Sequence, residues 1–95
     1  MGVAYKPNNN VDCWLSNYAG QDMITQLHKR VEAHVPMSMT KQEAEESARL
    51  IEKAEDDIFE ELAVSPLWRG SKQEFQQWAF SWSKWLKKSG GFIIE

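Results

Sequence analysis

The chain has one cysteine, Cys13, in 95 residues. No internal disulfide can staple it, so its stability has to come from packing, and a domain this small without staples fits a reducing compartment. The first residues lack the basic-then-apolar order of a secretory leader, which makes the expected location cytoplasmic. No apolar run nears the roughly 18 residues of a membrane span. Lipid anchors are not indicated either: Lys6 stands where a myristoylation site wants Ser or Thr, and Phe92-Ile93-Ile94-Glu95 is no prenylation box. Catalytic signatures are also missing. The sequence holds no Gly-rich phosphate loop, paired-Cys motif, nucleophile elbow or zincin helix. His28 and His34 are six positions apart, a spacing that puts them on different flanks of one helix and does not suit joint metal ligation. The expectation is a protein that is not an enzyme and holds no cofactor or metal.

What is present is the composition of an ordinary globular domain, with 42% apolar and 26% charged residues. A chain of this length buries about 60 to 70% of the surface that its unfolded form exposes, enough for a modest core. Five tryptophans are the unusual feature, and the net charge of −3 conceals a segregation of sign. Residues 1–39 balance three acids with three bases, residues 40–63 carry nine acids against three bases, and residues 64–95 carry two against five. One acidic and one weakly basic surface are expected, which bears on partners rather than on fold.

The periodicities predict an all-α fold, a small helical bundle of three to four helices. Pro7 and the run Asn8-Asn9-Asn10 read as a mobile, irregular arm over 1–10, leaving 11–95 as one helical domain. Val11, Trp14, Leu15 and Tyr18 recur at helical spacing and predict a short helix that breaks at Gly20. A second helix then runs from Asp22 to Val35, where Pro36 stops it. Thr40-Lys41-Gln42-Glu43 and Ser71-Lys72-Gln73-Glu74 both have the form of a capping box. The first opens a long helix to Ala63, with Ala44, Ala48, Ile51, Ala54, Ile58, Phe59 and Leu62 facing inward. The second opens a helix from Lys72 to Lys88, with Gly90-Gly91 as its left-handed stop and Phe92-Ile93-Ile94 as an apolar tail folded back on the core.

On that last helix Phe75, Trp78, Ala79, Trp82, Trp85 and Leu86 span an arc of roughly 120° and read as core. Phe80 falls outside the arc and Trp85 at its edge, so these two rings are the expected aromatic anchors of an interface. Asp56, Asp57, Glu60 and Glu61, with Glu45, Glu46 and Glu52, form an acidic stripe suited to steering a basic partner. Glu55 sits inside the apolar stripe, where a carboxylate needs a partner. From these features the expected function is a small protein-binding adaptor or inhibitor whose partner is another protein, one that handles nucleic acid being a natural fit for an acidic face. Such composition is associated with accessory proteins of viruses and mobile elements. The alternative is a nucleic-acid-binding module built on the Trp- and Lys-rich C-terminal helix, whose rings would stack on bases while its lysines meet phosphates. No membrane partner is expected, and the sequence is silent on oligomeric state.

Overall fold

Alternate residues of the first strand are buried. Val3 and Tyr5 point inward, while Gly2 and Lys6 stay outside, the period of two that a sheet with one covered face demands. The computed structural model describes residues 2–95. Its elements run in the order β1 (Gly2–Pro7), β2 (Trp14–Asn17), α1 (Tyr18–Arg30), β3 (Ser38–Thr40), α2 (Lys41–Glu52), α3 (Asp56–Ala63), α4 (Lys72–Ser89) and β4 (Gly91–Ile94). The four strands form one antiparallel sheet in the order β2-β1-β4-β3. The fold is therefore α/β, and the expected all-α bundle is wrong.

Three segments depart from the expected bundle. The expected irregular arm is β1, which pairs with β2 on one side and β4 on the other. The expected first helix is β2, in which Trp14 faces the core while Leu15 is 75% exposed. Its helical spacing is coincidental, since Val11 and Tyr18 are also exposed. Finally, the apolar tail is an interior strand of the sheet, with Phe92 fully buried.

The core lies between the inner face of the sheet and the helices. Tyr5 lies beside Trp14 and Ile94 across the strands, and Phe92 beside Pro7 and Met39. Against these pack Trp82 and Leu86 of α4, Met23, Ile24 and Leu27 of α1, and Ala44, Ala48 and Ile51 of α2. The expected approach of the Ala/Ile stripe to the Trp-bearing helix is observed, with α2 lying along α4. Tyr5 makes edge contacts with Trp82 and Phe92 at 5.1 and 5.3 Å between ring centroids. The other sheet face carries Leu15, Lys6 and Ile93 and is open, with a Lys6–Glu95 ion pair across it.

Helix ends follow the sequence closely in some places and not in others. Both capping boxes form, and Gly90 ends α4 at φ 68°. The asparagine run that looked like a loose arm completes that end. The Asn8 and Asn9 side-chain amides donate to the carbonyls of Gly90 and Lys88 at 3.1 and 3.0 Å, satisfying acceptors that a helix C-terminus leaves orphaned. Gly20 does not break a helix. It lies in the first turn of α1, its N–H donating to the Asn17 side chain at 2.7 Å. The helix ends at Arg30 instead of Val35, with Glu32 in the left-handed region at φ 59°. The Ala33 and Glu32 N–H groups reach back to the His28 and Lys29 carbonyls at 2.8 and 3.2 Å, the Schellman pattern with glutamate where glycine is usual. The predicted long helix is two, interrupted over 53–55, and Glu55 is the exposed cap of α3 rather than a buried carboxylate. Asp56 and Asp57 occupy the first turn of α3, where negative charge suits the helix dipole.

Candidate partner-binding site

The expected anchors and acids are scattered. Phe80 is half-buried, its ring edge-on to Phe59 of α3 at 5.6 Å. Trp85 is half-buried elsewhere, stacked on Trp82 at 5.4 Å and donating its indole N–H to the Asp12 carbonyl at 2.8 Å. Phe80 therefore faces α3 and Trp85 faces the sheet, and no shared edge joins them. All four acids of α3 are exposed. Glu61 pairs with Arg30, Glu60 lies 3.9 Å from Lys72, and Asp56 accepts from Gln76 at 3.4 Å, leaving Asp57 uncommitted among the described residues. On α2, Glu52 pairs with Lys87 of α4. Part of the charge segregation in the sequence is thus intramolecular pairing of acidic helices with cations of α1 and α4. Cys13 is exposed.

A large concavity lies elsewhere, a groove of about 950 Å³. One side is β2 and the first turns of α1, with Leu15, Asn17, Gly20 and Met23. The other is the 67–70 connector and the amino-terminal half of α4, with Leu67, Trp68, Arg69 and Trp78. The connector is held by its own bonds: the Trp68 N–H donates to the Ser65 carbonyl at 3.0 Å, and its indole N–H donates to the Ser71 carbonyl at 3.0 Å. Trp68 also packs on Phe75 and Trp78, at 5.0 and 5.5 Å between centroids. Two half-buried indoles are in this way fixed at the groove surface before any partner arrives.

The one uncommitted charge of the groove is a cation. The charged side chains there are Arg69 and Glu74. The Glu74 carboxylate accepts the Ser71 N–H at 3.0 Å within the capping box, whereas Arg69 is exposed and has no ion-pair partner among the described residues. The first turns of α1 and α4 both border the groove, and α1 has no acid in its first turn. Helix amino termini carry partial positive charge; Glu74 meets that of α4, so the α1 dipole is the one that adds to the guanidinium.

One strand edge also borders it. β2 is hydrogen-bonded only to β1 and has no strand on its other side among the described residues. Glu95 N–H donates to the Ala4 carbonyl, so Ala4 turns its backbone groups toward β4, while Val3 and Tyr5 turn theirs toward Ser16 and Trp14. By the same alternation Leu15 presents both N–H and C=O to the open side. Trp68, Arg69 and Trp78 were not among the residues expected here. The available signal was the connector itself, since Leu67-Trp68-Arg69-Gly70 places two large apolar side chains and a cation in a segment too short to bury them. No helix of the described residues is long and apolar enough to cross a membrane. Comparisons with protein-family models, curated proteins and solved structures found no match for this chain.

Proposed function

We propose that the chain is a small protein-binding module, an adaptor or an inhibitor, that takes its partner in the groove between β2 and the 67–70 connector. The observation that carries this reading is the conjunction in one concavity of Trp68, Trp78 and the unpaired Arg69. Tryptophan and arginine are the residue types that dominate interface energetics, because a fixed ring buries much area with little entropy left to lose and a guanidinium makes directed bonds. Leu67, 40% exposed, extends the apolar surface at the rim. The alternative of a nucleic-acid surface on α4 has less support: Trp82 is fully buried, and Lys72 and Lys87 both face acids of the neighbouring helices.

The experiment is affinity capture from a lysate with the native chain and with a Leu67→Asp, Arg69→Glu variant. Both residues are exposed, so circular dichroism should find the variant folded. The reading expects a protein retained by the native chain, insensitive to nuclease, and lost with the variant. Equal retention by both chains, or retention abolished by nuclease, would overturn it.

A further inference from the structure

We infer that the groove takes an extended segment of the partner bearing a carboxylate, added antiparallel or parallel to β2 as a fifth strand of the sheet; this rests on the protein-binding reading above. Three observations point to that occupant. An edge strand with unpaired backbone groups is a template for another strand, and natural edges are usually blunted by proline, lysine, a bulge or a covering segment. β2 has the sequence Trp14-Leu15-Ser16-Asn17 and uses none of the first three devices, while the element across from it, the connector, stands off by the width of the groove. Leu15 offers the added strand one donor and one acceptor, in the geometry that an incoming strand satisfies with its own alternate residues.

The side chains then select what the strand carries. Residues of a strand added beside β2 alternate between the open sheet face, next to Leu15, and the helix side, next to Trp68 and Trp78. Residues on the helix side meet two indoles and, at the rim, Arg69. A carboxylate there finds the unpaired guanidinium and the amino terminus of α1, which has no acid in its first turn, whereas a lysine meets positive potential from both. The acid of the groove, Glu74, is turned to its own helix start. An extended apolar segment interrupted by an aspartate or glutamate fits this surface, and a basic one does not.

The test uses the full chain, labelled with nitrogen-15, and four probes: a capped nonapeptide of alternating valine and threonine with one central aspartate, the same peptide with lysine, the aspartate peptide N-methylated at alternate residues, and a single-stranded oligothymidine. Peptides stripped of their native context bind weakly, so titrations run to about 1 mM. The aspartate peptide should shift the amides of Leu15 and Asn17 and the indole signals of Trp68 and Trp78. The lysine peptide should bind at least tenfold more weakly, as should the methylated peptide, which cannot pair with the edge. Arg69→Glu should reverse the preference between aspartate and lysine. No shift with the aspartate peptide, equal binding of the methylated one, equal binding of the lysine one, or shifts by the oligonucleotide alone each overturn the inference. A partner captured through the groove, together with peptides that leave the β2 edge unmoved, would overturn strand addition while the protein-binding reading stands.

Discussion

The Trp82 indole N–H donates to Nε2 of His28 at 2.9 Å inside the core. An indole nitrogen can only donate, so His28 Nε2 has to be an acceptor, and Nδ1 carries the proton that goes to the His34 carbonyl at 2.7 Å. The tautomer is fixed from both sides, and the neutral ring ties α1 to α4 and to the segment after α1. Burial lowers the His28 pKa from its ordinary value to about 4. Above about pH 6.5 both folded and unfolded chains leave this ring neutral. As pH falls from there, the unfolded chain gains a proton that the folded chain refuses, so stability falls, by about 3 kcal/mol once pH is below about 4. Denaturant melts across this window should show the slope, and His28→Gln, less stable at neutral pH, should flatten it. An unchanged slope in that variant would remove His28 as its cause.

Gly91 has φ 94°, and a Cβ there would sit 2.5 Å from the Met39 carbonyl oxygen. Both the left-handed backbone and the neighbouring strand exclude a side chain. Gly91→Ala should cost at least about 2 kcal/mol, read as a shift of the urea midpoint. A variant as stable as the parent would contradict the β3–β4 pairing.

Glu32 makes the opposite case. It is exposed and holds φ 59° in the turn that ends α1, where glycine pays no steric penalty. Glu32→Gly should raise stability by about 0.5–1 kcal/mol, measured by thermal and urea melts. A loss would mean that the side chain contributes contacts outweighing the backbone term.

Local signals proved readable and non-local ones did not. Thr40 with Glu43, Ser71 with Glu74, and Gly90 announce helix ends through bonds made within a few residues, and all three behave as their sequence implies. β1 and β4 are 84 or more positions apart in the chain, and each alone is a short apolar stretch that satisfies no pattern longer than itself. Val3 and Tyr5 do alternate with outward residues, yet Pro7 and the asparagines beside them carry stronger turn chemistry, and only the fold discloses that those asparagines cap α4. The split of α2 from α3 was also hidden, because an apolar stripe continues through Ala54 and Ile58 on both sides of it. At the site, Phe80 looked unpartnered on a helical wheel because the wheel contains no second helix; α3 covers it. The groove needs β2, α1, the connector and α4 together, and on α4 alone Trp78 reads only as part of the core arc.

The claim that partners bind at the groove, rather than at the acidic helix or the open sheet face, is tested most directly by site-specific photo-cross-linking. A benzophenone amino acid is placed at Leu67, at Asp57 or at Ile93, all three exposed, and each folded variant is irradiated in lysate. The account predicts a single protein adduct from position 67, competed by excess unlabelled chain, with none from 57 or 93. Competable adducts from position 57 or 93, with none from 67, would contradict it.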